Sequence, residues 1–470
     1  MKAQAAFGFW WPFSLSILAH GAFVFCGLLL YVLATRIGHQ RRHPSAAIAW
    51  VLAIAALPYV GVPLFLLFGT RKFTRPQRQA PARLPAGDQP GPIWAGSLLA
   101  AMGVPAPTRN GAILFHEDGP ESQRALLGLI CAARQRIDLC TFILGADTSG
   151  NALAAALMLR ARDGLHVRVL LDAIGSLNAS RAQLSALREA GVSVRWFMPL
   201  LHNPLRGRSN LRNHRKLVVC DDATLWSGGR NLADEYFIDT ERRRAWPDLS
   251  FTVQGPLAQQ ARHLFERDWH AAGGRGRPVA PRHMPAPAGD PDGSAAQLVP
   301  SGPDHADDTV YALLLTAAYH AQQRILAVSP YFVPDDALLA AWCMAARRGV
   351  QVTVLLPARS NHRLADWARE RALRELHAVG AHVHLFPEML HAKAVIIDDT
   401  LALCGSANLD GRSFFLNFEL MTAFYGAAEI DWLAAWVERK ALGSGRYVAR
   451  RPAWWRDVIE GMVRALGFQL

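Results

Sequence analysis

Two short runs in this chain place a lysine two positions after a histidine, and the same further residues follow each at the same distances. The first run reads L-R-N-H-R-K-L-V-V-C-D-D-A-T-L-W-S-G-G-R-N and the second M-L-H-A-K-A-V-I-I-D-D-T-L-A-L-C-G-S-A-N. Both give H-x-K, four residues, D, six residues, then G-(G/S)-x-N. The members are His214, Lys216, Asp221, Gly228, Gly229 and Asn231, then His391, Lys393, Asp398, Gly405, Ser406 and Asn408. Each member of the second set lies 177 positions after its counterpart. A single H-x-K would read as surface residues on a sheet edge. Six positions matched twice make an internal repeat.

Side chains alternate along an extended strand, so residues two apart share a face. His214 and Lys216 therefore point one way, as do His391 and Lys393. The apolar residues after them, Leu217 to Val219 and Ala394 to Ile397, predict buried strands. Two copies related by a pseudo-twofold axis would gather two imidazoles, two ammonium groups and two amides at one place. That set suits phosphodiester chemistry. Lys216, Lys393, Asn231 and Asn408 could bind non-bridging oxygens and stabilise a pentacoordinate transition state. One neutral imidazole can attack phosphorus while the other, protonated, gives its proton to the leaving alkoxide. The glycines let backbone approach the phosphate. No metal or other cofactor is expected. Asp221 and Asp398 complete the catalytic signature, yet their place at strand ends before turns suits structural ion-pair or turn partners.

The surrounding pattern supplies elements able to hold these residues. Ser122 to Ala133 and Ala152 to Arg162 read as helices, Arg136 to Leu144 and Val167 to Asp172 as buried strands. The order recurs in Val310 to Gln322, Arg324 to Ser329, Asp336 to Arg348 and Gln351 to Pro357. Such alternation predicts an α/β sandwich in two similar halves, 109–273 and 304–470. Gln79 to Pro107, rich in Pro, Gly and Ala, reads as a linker over 76–108. Gly274 to Pro303 reads as an exposed connector between the halves.

Ahead of this lie two uncharged apolar stretches of 23 residues, Phe13 to Thr35 and Ala46 to Phe68. Each is long enough to span a bilayer, which takes about 20 residues, and the first is too long for a signal peptide. The expectation is a two-helix transmembrane hairpin within 1–75. It would put the N-terminus and the catalytic part on one side, with Lys2, Arg71, Lys72, Arg75 and Arg78. Arg36, Arg41 and Arg42 would lie on the other. Five positive charges against three favour a cytoplasmic catalytic part. The net charge of +12 points to a polyanionic partner. The six scattered cysteines form no C-x-x-C pair and read as buried free thiols.

The duplicated motif resembles the signature of the phospholipase D superfamily, whose members pass a phosphohistidine intermediate to water or an alcohol. Longer stretches are similar to the bacterial cardiolipin synthases. They include Arg41 to Gly69, R-N-H-R-K-L-V-V, G-G-R-N-L-A-D-E-Y, S-P-Y-F-V-P-D-D-A-L-L and G-S-A-N-L-D-G-R-S-F-F-L-N-F-E. The resemblance implies two pseudo-symmetric phospholipase D-like halves forming one active site. His214 would then be the nucleophile and His391 the general acid and base, although the chain alone does not decide between them. Asp248 in W-P-D and Glu419 in N-F-E match the acids that orient the histidines in that family. One departure stands out: Cys140 in L-C-T-F occupies a position where the family usually has an acid. The implied reaction is phosphatidyl transfer between two phosphatidylglycerols at a bacterial inner membrane, with no nucleic acid partner. A phospholipid hydrolase is the nearest alternative, a transferase using phosphatidylethanolamine another, and a nuclease a more distant one. The apolar segments favour lipid over a polymer in solution.

Overall fold

Leu217–Cys220 and Ala394–Ile397, the apolar runs that follow the two H-x-K pairs, are buried over their full length. Strands without an exposed face belong at the centre of a sheet covered on both sides, and each occupies that place in its own sheet. The computed structural model describes residues 7–37, 44–69, 72, 90–199, 210–240, 244–273, 290, 292–450, 452–453 and 460. The chain divides into two compact units. One carries the N-terminal helices, and the other holds Arg78–Pro199 with Arg212–Leu470.

In the large unit the first half is a seven-stranded sheet. Its order is Ile113–His116, Ser250–Gln254, Thr224–Gly228, Leu217–Cys220, Arg136–Thr141, His166–Asp172 and Ser193–Phe197. The last three strands run parallel, and the other pairings are antiparallel. The second half repeats this arrangement in Ser294–Ser301, Glu419–Phe424, Leu401–Gly405, Ala394–Ile397, Arg324–Val328, Gln351–Pro357 and His382–Phe386. It adds one short strand at each edge, Thr108–Asn110 and Gly445–Arg446. Each half has its own apolar core, so the repeat is a repeat of folding units. The halves meet through Phe115, Phe251, Phe424 and Trp432, whose ring centroids lie 4.6–5.2 Å apart in successive pairs.

Two expected connectors contain structure. Within 76–108, residues 76–89 lie outside the described residues, but Ile93–Ala101 forms a helix. Ala95 and Leu99 of that helix are fully buried in the core of the second half, and Trp94 stacks on His320 at 5.0 Å. Its apolar residues are therefore core residues of the half that comes later in sequence. Within 274–303, residues 274–289 and 291 lie outside the described residues, while Ser294–Ser301 is a buried strand. Pro300 hid this strand in the sequence. It is tolerated because the neighbouring strand Thr108–Asn110 pairs only with Ser294 to Ala296, so that no described strand needs an N–H from position 300 on that side.

Among its described residues the N-terminal unit has three helices: α1 (Phe7–Ile37), α2 (Pro44–Ala56) and α3 (Pro58–Phe68). Within α1, Leu18–Thr35 is long and apolar enough to cross a membrane. The second apolar stretch is not the continuous span the sequence suggests. Leu57 leaves the helical conformation at φ −134° and ψ 62°. Pro58 is the cause, since it lacks an N–H and disfavours helical backbone in the residue before it. Trp50 and Phe65 then lie 5.4 Å apart between ring centroids, whereas fifteen residues of straight helix would cover roughly 22 Å. The chain doubles back. Lys2, Arg41, Arg42, Arg71, Arg75 and Arg78, used above for the charge comparison, lie outside the described residues.

Candidate active site

His214 and Lys216 stand just before the strand Leu217–Cys220, and His391 and Lys393 just before Ala394–Ile397. The strands point these pairs toward each other across the join of the halves. All four side chains line one cavity of about 300 Å³, together with Asn231 and Asn408. The two G-(G/S)-x-N segments supply those amides from the ends of Thr224–Gly228 and Leu401–Gly405. The two histidines, two lysines and two asparagines of the repeat thus line one cavity.

Each histidine is held by an acid from the opposite half. His391 Nδ1 lies 2.6 Å from Asp248 Oδ2, and His214 Nδ1 lies 3.4 Å from Glu419 Oε1. Backbone bonds set up this exchange. The His214 N–H donates to the Phe418 carbonyl at 2.9 Å, and the His391 N–H to the Pro247 carbonyl at 2.8 Å. In both cases the acceptor directly precedes the acid. Arg215 reinforces the join: fully buried, it donates to Asp268 of the first half at 2.5 Å and to Ser301 and Asp304 of the second at 3.2 and 3.1 Å. With Nδ1 facing a carboxylate, Nε2 is the ring nitrogen that each histidine has for chemistry, and Lys393 Nζ lies 3.1 Å from that of His391.

The difference between Gly229 and Ser406 follows from the two acids. A Cβ at Gly229 would come within 2.2 Å of Asp248 Oδ1, so the first half has no room for a side chain there. At the matching position the Ser406 hydroxyl donates to Glu419 Oε2 at 2.5 Å. Gly228, at φ +141°, and Gly405 would each drive a Cβ within 2.3 Å of a backbone oxygen of the next strand. These residues shape the supports of the histidines.

Burial dominates the electrostatics. It pushes the His391 imidazole down to about 3, with the Lys393 ammonium adding to the effect and Asp248 opposing it. Burial also lowers His214, against the opposing pull of Glu419. Both rings are therefore neutral at pH 7. Lys393 is brought down to about 7 by burial, and Lys216 is lowered for the same reason. Burial alone would raise Asp248 and Glu419. Lys393 and His391 hold Asp248 below its usual range, and His214 and Lys216 do the same for Glu419.

Asp221 and Asp398 do not enter the cavity. Each sits at the far end of its strand, about five residues or roughly 16 Å beyond the lysine. The Asp221 carboxylate accepts from the backbone N–H groups of Arg134, Gln135 and Arg136 at 2.7, 2.8 and 2.9 Å. Asp398 accepts from Gln322, Gln323 and Arg324 at 2.9, 2.8 and 2.9 Å. Both adopt left-handed backbone, at φ 55° and 48°. Away from the cavity, each instead ties its strand end to the turn that opens the neighbouring strand, which corrects their place in the catalytic signature. Asp398→Ala is expected to lose on the order of 1–3 kcal/mol of stability through three orphaned donors and a strained backbone. It should leave kcat of the folded enzyme within about threefold of the parent. Thermal melts beside active-site-titrated kinetics check this, and a large kcat loss at unchanged melting temperature would restore the catalytic assignment.

Several residues that line the cavity or pack on its histidines escaped the sequence reading. Phe142 tilts against His214 at 4.1 Å, while Tyr236 and Trp246 pack on His391 at 5.0 and 5.8 Å. The Tyr236 hydroxyl lies 2.8 Å from Asn231 Nδ2. A half-turn of that amide makes Tyr236 the donor to Oδ1 and turns the NH₂ toward the cavity, as a phosphate oxygen requires. Tyr331, Asn361, His362 and Arg412 complete the second-half wall. Cys140 is buried, its thiol 3.6 Å from the Arg215 carbonyl, and burial pushes that thiol well up.

The family described as "Cardiolipin synthase, PLD-like domain" matches residues 126–269 and 314–441. One described as "Phospholipase_D-nuclease N-terminal" matches 27–69. Cardiolipin synthase A of Klebsiella pneumoniae is 31% identical over 462 residues, covering 92% of this chain and 94% of that protein. The Escherichia coli protein of the same name is 31% identical over 460 residues, with coverages of 91% and 94%. Among solved structures, a phosphatidylserine synthase from Haemophilus influenzae superposes with a TM-score of 0.59 at 15% identity, over 78% of this chain and 98% of that one, a likeness of fold. With a duplicated domain match over more than half its length and relatives aligned almost end to end, the chain belongs to the cardiolipin synthase family of phospholipase D-like enzymes.

Proposed function

We propose that the enzyme transfers a phosphatidyl group from one phosphatidylglycerol to a second, releasing glycerol and forming cardiolipin. The observation that carries the reading is the single cavity in which both H-x-K pairs and both asparagines meet, each histidine braced by an acid of the other half. In the first step His214 Nε2 attacks phosphorus, a P–N bond forms, and the P–O bond to glycerol breaks. His391 supplies the proton that the glycerol alkoxide takes away. Both imidazoles are lowered by burial, so that proton is taken up as the anionic phosphodiester binds and favours the charged ring. In the second step His391 removes the proton from the headgroup hydroxyl of the second phosphatidylglycerol. The freed oxygen attacks phosphorus and His214 leaves. Lys216, Lys393, Asn231 and Asn408 hold the non-bridging oxygens throughout.

The wall supports a lipid substrate. Phe142, Ile143, Tyr331, Val333 and Ala365 give the cavity an apolar side next to its cationic floor, which suits an amphiphile with an anionic head. The apolar N-terminal helix associates the enzyme with a membrane, and the catalytic unit works at the cytoplasmic face of the inner membrane. The test is phosphatidylglycerol as sole lipid in detergent micelles, with product masses read over time. Cardiolipin and glycerol in about equal amounts are expected, since one leaves for each formed. Phosphatidic acid as the main product would make the enzyme a hydrolase, and a strict need for phosphatidylethanolamine would change the second substrate.

A further inference from the structure

We infer that the second apolar segment enters the bilayer and leaves it on the face by which it entered, so that the N-terminus and the catalytic unit lie on opposite faces. The order of contacts along α1 carries this. His20 and Phe23 lie 5.6 and 4.8 Å from Tyr59 between ring centroids. Gly27 faces Ile54 and Val62 so closely that a Cβ there would come within 3.0 and 2.6 Å of them. Tyr31 lies 5.2 Å from Phe65, and its hydroxyl donates to the Ala47 carbonyl at 3.5 Å. Moving along α1 from 20 to 31, the contacts climb α3 through 59, 62 and 65 and descend α2 from 54 to 47. Helix α2 is thus antiparallel to α1, and α3 runs parallel to it. The tip at Leu57 is level with the early part of α1. Both open ends, Pro44 and Phe68, are level with its C-terminal end.

Length agrees. The arms of 13 and 11 residues reach about 20 and 17 Å at 1.5 Å per residue, short of the roughly 30 Å hydrocarbon core. Helix α1, with 31 residues, reaches about 46 Å. The turn is also built for an apolar medium, where backbone polar groups need internal partners. The Leu57 N–H donates to Ala53 at 3.0 Å, the Gly61 N–H to Leu57 at 2.7 Å, and Pro58 has no N–H to satisfy. Gly61 lets the arms close, because a Cβ there would lie 2.6 Å from the Ala53 carbonyl oxygen. The outward side chains, among them Phe25, Leu33, Ile48, Leu52 and Leu64, are exposed and apolar, a surface for acyl chains.

The charges of the flanking sequence then sort themselves. With two spans they split five to three. With a returning segment Arg36, Arg41, Arg42, Arg71, Lys72, Arg75 and Arg78 share one face and Lys2 alone lies on the other, seven to one. The positive-inside rule then assigns the catalytic face to the cytoplasm without ambiguity.

Cys26 and Cys131 are the exposed thiols among the six. In full-length enzyme with both replaced by serine, single cysteines are introduced as Ala5→Cys, Gln40→Cys or Gln79→Cys. A membrane-impermeant maleimide is then applied to intact spheroplasts and to lysed ones. The expected result is labelling of position 5 in intact spheroplasts, and of positions 40 and 79 only after lysis. Positions 5 and 79 on one side with 40 on the other would restore two spans and overturn the inference, as would all three on one side. Positions 40 and 79 both outside, with 5 inside, would uphold the returning segment while overturning the cytoplasmic placement proposed above. Should a variant fail to accumulate, Gln4, His39 and Gln77 give the same three reports.

Discussion

His214→Ala and His391→Ala are each expected to reduce kcat by at least about 10⁴-fold, the scale at which removal of a covalent nucleophile or its proton partner acts. Both variants should still fold. His391→Ala leaves Asp248 and Lys393 together, so no buried charge is stranded, and Glu419 keeps its bonds from Ser406 and Asn417 when His214 is lost. The two losses should differ in kind. A phosphodiester with a nitrophenolate leaving group needs no proton at that oxygen, so His391→Ala should still form the phosphohistidine from it, whereas His214→Ala should form none. Mass spectrometry of the quenched enzyme reads this directly. A modification on position 391 in the His214→Ala variant would exchange the two roles. Either variant retaining more than about a hundredth of the parent rate would remove its histidine from the chemistry.

The centre of each sheet was legible because its signal is local. A histidine, a lysine and four apolar residues are contiguous in sequence, and both copies carry them at one spacing. The contacts that finish the site are not local. Asp248 serves a histidine 143 residues away, and its assignment came from family resemblance, with nothing in the spacing to require it. Tyr236 and Trp246 lie in the G-G-R-N-L-A-D-E-Y and W-P-D stretches, yet no spacing marks their rings as site residues, and only the fold brings them against His391. The buried strand Ser294–Ser301 was missed because small residues and Pro300 look like loop when its edge position is unknown. The break at Pro58 was visible as a residue. It was overruled by the length of the apolar run, since proline is common in membrane helices. Cys140 stands where the family usually carries an acid, and nothing in the structure explains the exchange.

Asp248→Asn should cost roughly 10²–10⁴-fold in kcat, because an amide can present the wrong group to His391 Nδ1 and stabilises no imidazolium. The same substitution tests the electrostatics through pH. In the parent, burial has lowered both imidazoles from the ordinary histidine value, His391 to about 3, so the acid limb of kcat/KM, which reports the free enzyme, should lie below 6.5. On the other side, Lys393 loses its proton with a pKa of about 7 and with it the charge that receives the phosphate. kcat/KM should therefore fall as pH rises above about 7, well before an ordinary lysine would titrate near 10.4. After burial itself, Asp248 is the largest influence on Lys393 and the chief one favouring its charged form. Replacing that carboxylate by an amide should move the alkaline limb further down in pH. Glu419→Gln, one step removed from Lys393, should move it less. A profile with a limb at 6.5 and a plateau to pH 9 would show that neither lysine nor histidine is perturbed as described. An alkaline limb unmoved by Asp248→Asn would detach it from Lys393.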